Sequence, residues 1–202
     1  LRPVDGAAAT GSISKTIQNG LGQTLWKKTY QLGSNSIGRI VTGTVTDPDG
    51  AALASTWNYY DNPAEPDRYG KVRLTVEPDG SWTRYDYTNG GLPSAVVRPF
   101  KDSPTNAADS EAQATYYDYT LHAGESAGLR PYSPRTVTEK TTGIVTRVAY
   151  YAYSTNAAGA LTVITESACS NNAPYGDANN LRTVSVYLGE YSDDLQSVTY
   201  PD

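Results

Sequence analysis

The sequence predicts an all-β protein built from antiparallel hairpins that follow one another in a twisted β-strip. Three observations carry this expectation. In the segment KVRLTVEPDGSWTRYDYTNGGLPSAVVRPF (71–100), Val72, Leu74 and Val76 alternate with Lys71, Arg73, Thr75 and Glu77, the period of two that a half-buried strand needs. The side chains that would build a core are Tyr, Val, Thr and Trp, with 17 tyrosines against one phenylalanine and no methionine. That set packs on a pleated surface rather than along a helical stripe. Gly, Pro, Asn-Gly and Asp-Gly steps punctuate the whole length and supply the fixed or positive φ of tight turns.

Taken in order, residues 1–10 (LRPVDGAAAT) are small and flexible in character, a segment apart from the remaining 11–202. Runs 12–18 and 24–32, with Trp26 and Tyr30 on one parity, are expected to pair around Asn19-Gly20. A short break at 34–36 precedes 37–46. The turn Asp47-Pro48-Asp49-Gly50 then reverses the chain into 52–60. Residues 61–69 hold Pro63 and Pro66, neither of which can donate to a ladder, and read as an irregular loop.

The segment 71–100 follows as strand, Pro78-Asp79-Gly80 turn, strand 82–88, Asn89-Gly90-Gly91 turn and strand 92–98. The polar, Pro-interrupted stretch 101–113 is expected to be a surface insertion. Residues 114–121 form the next strand, and 122–134 a Gly- and Pro-rich loop. A hairpin 135–140 and 144–154 turns at Thr141-Thr142-Gly143, and runs 160–168, 181–188 and 195–200 complete the set. No stretch shows helical periodicity.

Within strand 82–88 the side chains alternate, so Thr83, Tyr85 and Tyr87 share one face and Trp82, Arg84 and Asp86 the other. The same word recurs as Asn58-Tyr59-Tyr60-Asp61-Asn62, as Thr115-Tyr116-Tyr117-Asp118-Tyr119 and, with Ala152 in place of Asp, as Ala149-Tyr150-Tyr151-Ala152-Tyr153. From Tyr60 through Tyr85 and Tyr117 to Tyr151 the spacing falls within the roughly 20 to 50 residues of stacked units. These words predict about four to five irregular hairpin repeats over 11–202. Tyr85-Asp86-Tyr87, then Asn89-Gly90-Gly91-Leu92, with Pro78-Asp79-Gly80 upstream, resembles the YD repeat of the RHS/YD-repeat family of bacterial surface and toxin-associated proteins. Gln18-Asn19-Gly20-Leu21-Gly22-Gln23-Thr24 is similar to the phrase between such units, and Ser197-Val198-Thr199-Tyr200-Pro201-Asp202 to the opening of another. The resemblance implies a β-strip that forms one arc of a hollow shell, in a chain that is part of a longer array. The family's Asp-Pro-x-Gly-Leu self-cleavage phrase is absent from this sequence; Asp47-Pro48-Asp49-Gly50 reads as a hairpin turn.

Bulk properties remove several classes. The net charge of −5 comes with no basic patch, so a nucleic-acid partner is not expected. No apolar run approaches the roughly 18 residues of a membrane-spanning helix. Cys169 and His122 are each the sole residue of their type, giving neither a disulfide framework nor a thiolate metal site. A Cys nucleophile would need His122 beside it and a third orienting group. The pattern fits a secreted or cell-surface bacterial protein.

The candidate chemistry lies in the aromatic columns. Tyr60, Tyr85, Tyr117 and Tyr151, flanked by Tyr87, Tyr119 and Tyr153, are expected on one face. Tyr59, Arg84, Tyr116 and Tyr150, with Trp57 and Trp82, are expected on the other. Trp57, Tyr59, Trp82, Tyr116 and Tyr150 could stack sugar rings of a polysaccharide; the competing and favoured role is packing against neighbouring strands. Equivalent carboxylates Asp61, Asp86 and Asp118 would lie about 9.5 Å apart, too far to share one calcium at oxygen distances near 2.4 Å. Each is expected to accept N–H groups of its own turn or to pair with Lys or Arg, as Asp193-Asp194 is expected to form a turn. Glu65, Asp67, Glu125, Glu139 and Glu166 are the carboxylates a hydrolase could use, but no motif sets two of them together. The expectation is therefore an architectural segment with no catalytic residue, cofactor or metal, whose partners are further repeats and other copies met through open sheet edges. A carbohydrate or cell-surface adhesion module is the alternative, and a polysaccharide hydrolase the third reading.

Overall fold

A computed structural model describes residues 11–35, 38–47, 53–189 and 194–201. The expected segment 1–10, the turn residues 48–50 and Asp193 lie outside the described residues. The fold is all-β. Among the described residues thirteen antiparallel strands stand in chain order, in an open sheet that does not close into a barrel. The only helical element among them is a 3-10 turn at Asp109–Glu111. The chain divides into two compact units, Leu1–Pro93 and Ser94–Asp202.

The first unit carries β1 (Gly11–Gln18), β2 (Thr24–Asn35), β3 (Gly38–Asp47), β4 (Leu53–Tyr59), β5 (Val72–Val76) and β6 (Trp82–Tyr87). β2 runs through the break expected from residue 34, because its ladder with β3 continues to the pair Asn35 and Gly38. Pairing with a neighbour here overrides the weak strand preference of Gly-Ser-Asn. All eight residues of β1 are exposed. Trp82, at 3% exposure, is this unit's buried hydrophobic residue among those described.

Local sequence decides the tight turns, and one device serves four of them. In 19–23, 77–81, 88–92 and 156–160 the first residue's N–H donates to the fifth residue's carbonyl. The fourth residue is a glycine whose N–H returns to the first carbonyl. Those glycines, Gly22, Gly80, Gly91 and Gly159, all have φ between 73° and 83°, the left-handed conformation that closes a three-residue hairpin loop with a bulge. Asn19 and Asn156 brace their turns by accepting two backbone N–H groups each. Thr88 does the same through its hydroxyl, and Asp79 accepts from Ser81 N–H at 2.9 Å.

The second unit carries β7 (Pro93–Arg98), β8 (Gln113–Asp118), β9 (Thr136–Thr141), β10 (Ile144–Thr155), β11 (Leu161–Ser167), β12 (Leu181–Tyr187) and β13 (Leu195–Thr199). β8 ends at Asp118, short of the expected residue 121, because the Asp118 carboxylate captures the Thr120 N–H at 2.9 Å and its hydroxyl at 2.7 Å. β9 and β10 meet at a two-residue turn with φ of 50° at Thr142 and 79° at Gly143. This is the geometry that matches strand twist.

Three long connections, 99–112, 119–135 and 168–180, set this unit apart. The sequence predicts a surface insertion over 101–113 and a Gly- and Pro-rich loop over 122–134, yet each of the three connections contributes buried side chains: Ala107 and Ala112 from the first, Leu129 from the second, Ala173 from the third. The strands of this unit contribute the buried side chains of Ala95, Val96, Val97, Ala114, Val148, Ala149, Ala152 and Leu161. The core is built of small residues, so loop backbone can lie close to the sheet. Thr142 N–H, for instance, reaches Ala112 carbonyl at 2.9 Å.

Candidate functional site

The tyrosines act across strands through their hydroxyls. Tyr59, at the end of β4, donates to Val41 carbonyl in β3 at 2.8 Å. Tyr60 donates to Tyr85 carbonyl at 2.9 Å, and Tyr87 to Val72 carbonyl at 2.9 Å. Tyr60 and Tyr87 meet edge-on with ring centroids 6.0 Å apart. Three cations lie over these rings: Arg68 and Arg73 over Tyr60, and Lys71 over Tyr87. The Lys71 ammonium also donates to Gly91 carbonyl, tying β5 to the turn after β6. Burial raises the phenol pKa of Tyr59, Tyr60 and Tyr87, with Asp86 adding to the rise at Tyr60.

The register corrects one face assignment and two alignments along the strands. Trp57 stands opposite Thr75, itself opposite Thr83, while Trp82 stands in the column of Val76 and Thr56. Adjacent columns face opposite sides of a pleated sheet, so Trp57 and Trp82 lie on opposite faces and do not form one platform. Trp82 is moreover buried and offers no open ring face. In the second unit Tyr117 opposes Val137, which opposes Ala149, and Tyr116 likewise aligns with Val148. Tyr117 and Tyr151 therefore share a face but stand two positions apart along the strands, as do Tyr116 and Tyr150.

Asp86 and Asp118 each accept a backbone N–H close by in the chain. Asp86 pairs with Arg68 at 3.2 Å and accepts Tyr87 N–H at 2.9 Å, and Asp118 closes its turn as described above. Among the described residues no group of three or more His, Cys, Asp or Glu could hold a metal ion.

A cluster that the sequence did not reveal lies in the second unit, where loops 119–135 and 168–180 meet β10 and β11. Arg135 is 1% exposed. It pairs with Glu125 at 2.9 Å and donates to the carbonyls of Leu129, Arg130 and Ser133. The second oxygen of Glu125 accepts Tyr153 N–H at 2.8 Å, and the Arg135 guanidinium sits 4.6 Å from the Tyr153 ring centroid. Arg135 carbonyl in turn contacts His122 Nε2 at 3.0 Å. The His122 ring stacks on Tyr175 at 4.2 Å and meets Tyr150 edge-on at 5.6 Å. Tyr150 donates to Ala173 carbonyl at 2.7 Å. Burial raises the phenols of Tyr150, Tyr153 and Tyr175, with the Glu166 charge adding to the rise at Tyr150.

Glu166, also 1% exposed, holds the other loop. One oxygen accepts Gly176 N–H at 2.8 Å and the Asn180 amide at 3.1 Å, while the other lies 3.6 Å from Arg182. Asn180 also reaches Pro174 carbonyl and Cys169 N–H. Cys169 is exposed.

Chemically, the arrangement is a pair of locks. Of the glutamates a hydrolase could use, Glu125 and Glu166 hold loop backbone, and Glu65 and Glu139 pair with Arg68 and Arg147. A general acid or base must be able to reach the proton it moves, whereas the Glu125 oxygens already face Arg135 and Tyr153 N–H. A cavity of about 310 Å³ opens on the second unit among Arg98, Gln113, Thr115, Glu139, Thr141 and Thr146. Its walls are polar, and none of the five residues expected to stack sugars lines it. No family model and no curated protein sequence matches this chain.

No short motif marks Arg135, Tyr175 or Asn180. Arg135 meets Glu125 10 residues back and Asn180 meets Glu166 14 residues back, while Tyr175 meets His122 and Tyr150 across a loop whose path the local sequence does not state. The one available signal was chemical: an Arg directly before a strand and a Glu within a Gly- and Pro-rich loop.

Proposed function

We propose that this chain is a structural repeat segment of a secreted or cell-surface bacterial protein of the RHS/YD-repeat kind. In this reading it supplies part of a β-shell or extended surface assembly, has no catalysis of its own, and has as partners further repeats and other copies met at sheet edges. The observation that carries the reading is the use of the tyrosines: Tyr59, Tyr60, Tyr87 and Tyr150 each direct the hydroxyl to a backbone carbonyl elsewhere in the protein. A phenol that donates to the main chain braces the sheet and has no second proton to donate to a sugar hydroxyl. An extended sheet without covering helices needs such amphipathic braces on both faces. The test is titration calorimetry of the chain against a panel of neutral and acidic polysaccharides. The architectural reading expects no saturable heat with any of them. Saturable binding that Trp57→Ala or Tyr116→Ala abolishes would replace it with the adhesion reading.

A further inference from the structure

Two Asn-Gly steps occur in the chain, Asn19-Gly20 and Asn89-Gly90. Both fall in tight turns of one hydrogen-bond pattern, but at different positions of it. Asn19 is the first residue of its turn, and its side chain is held at both ends. Its Oδ1 accepts Leu21 and Gln23 N–H, each at 3.0 Å, and its Nδ2 donates to Gln23 Oε1 at 2.7 Å. Asn89 is the second residue of its turn, where the Thr88 hydroxyl is the brace, accepting Gly90 and Leu92 N–H, each at 3.2 Å. The Asn89 side chain takes no part in building the turn. It is exposed, and its amide has no partner among the described residues. Nor does the turn need glycine at 90: the left-handed φ of 73° falls on Gly91, and a Cβ on Gly90 would meet only Thr88 Oγ1 at 3.8 Å, an ordinary contact.

We propose that Asn89 is a site of spontaneous covalent modification by deamidation, and that Asn19, in the same dipeptide, is protected by its turn. A glycine nitrogen carries no Cβ beside it and can approach closely. The Gly90 nitrogen, having lost its proton to solvent hydroxide, forms a bond to Asn89 Cγ. The Cγ–Nδ2 bond breaks, the nitrogen takes up a proton from water and leaves as ammonia, and a ring imide remains; nothing is oxidised or reduced. Water then opens the imide at one of its two C–N bonds, leaving an aspartate or an isoaspartate at position 89. To reach this geometry the Asn89 turn releases one hydrogen bond, that of Gly90 N–H to Thr88 Oγ1, at the long end of the usual range. Asn19 must release the three that hold its amide. Isoaspartate adds a carbon to the main chain of a loop whose closing bonds, Thr88 N–H to Leu92 carbonyl at 2.7 Å and Gly91 N–H to Thr88 carbonyl at 2.9 Å, fit three residues. The turn joining β6 to β7 is therefore the one that opens as the protein ages.

Peptide mapping by mass spectrometry tests this on the full chain, kept folded at mildly alkaline pH and sampled over time. The Asn89 peptide should gain the mass of an acid in place of an amide, its aspartate and isoaspartate forms separating on chromatography, about tenfold or more faster than the Asn19 peptide. In urea, where neither turn is formed, the two should convert at similar rates. Gly90→Ala, which the turn accommodates, should slow conversion at position 89 in the folded chain, and Gln23→Ala should speed it at position 19. Hydrogen exchange on the aged chain should show the Thr88 and Gly91 amides losing protection. Conversion at 19 as fast as at 89 in the folded chain overturns the proposal, as does an Asn89 that stays intact when folded while both sites convert in urea. A difference between the sites that is as large in urea as in the folded chain overturns the assignment of protection to the Asn19 turn.

Discussion

The two units are built from the same grammar of strand and tight turn, yet they hold themselves together differently. In the first, the described links are short apart from 60–71, and side chains of both faces reach solvent. Trp82 is buried there, and the remaining order comes from ladders, turns and tyrosine hydroxyls. In the second, three long connections fold back on the sheet and bring a buried ion pair, Arg135 with Glu125, and a buried carboxylate, Glu166, into an alanine- and valine-rich core. The lesson concerns loops. A meander of hairpins has no inside of its own, and an insertion long enough to return to the sheet creates one.

The sharpest way to break this contrast is to remove its polar centre. Arg135→Met leaves Glu125 buried without its cation and should destabilise the second unit by about 3–5 kcal/mol, read as a fall in the urea midpoint. The counterpart in the first unit is Trp82→Ala, expected to cost about 3–5 kcal/mol as a truncated buried aromatic. Hydrogen exchange should show the first loosening 119–135 together with β10, and the second loosening β5 and β6. Equal loss of protection in both units from either change would erase the distinction.

Alkaline titration probes both units at once. Burial raises the phenol pKa of Tyr59, Tyr60 and Tyr87 in the first unit and of Tyr119, Tyr150, Tyr153 and Tyr175 in the second. The folded state therefore holds these protons more tightly than the unfolded chain, whose phenols titrate near about 10. Their contribution is complete below that value and is lost as pH rises through the folded pKa values. Stability to urea should be flat with respect to these groups up to about pH 9.5 and fall beyond it, with ionisation followed by tyrosinate absorbance. The full tyrosinate amplitude appearing at the pH of free tyrosine, ahead of unfolding, would contradict the burial of these rings.

Single hydroxyls should matter less. Tyr60→Phe and Tyr150→Phe each remove one donor and leave a carbonyl to find water, at about 1 kcal/mol. The loss should be the larger for Tyr150, whose acceptor belongs to the buried Ala173. Smallest of all is Arg147→Gln, which breaks the half-exposed pair with Glu139 and should cost about 0.5 kcal/mol or less. A larger effect there would mean that the strands hold more of their stability in exposed charges than their geometry indicates.

The sequence by itself determined the strands and the turns, because both rest on information within a few residues. The alternation of Val72, Leu74 and Val76, the Pro78-Asp79-Gly80 reversal and the Asn19 turn all fold as read. The recurrent glycine at the fourth turn position is equally local, although the Tyr-Asp words drew the eye away from it. The role of Asp118 was also legible, since its partner Thr120 is two residues on, whereas Asp86 pairs with Arg68, 18 residues back in the chain. What only the tertiary structure decided is what depends on distance along the chain. The ladder of β4, β5 and β6 set Trp57 in the column of Thr83 rather than beside Trp82, and ladder register moved Tyr117 two positions from Tyr151. The burial of Arg135 with Glu125, and of Glu166 under 168–180, follows from where long loops land. A loop's landing place is set by the summed packing of the sheet it meets, and no local period or turn rule encodes it.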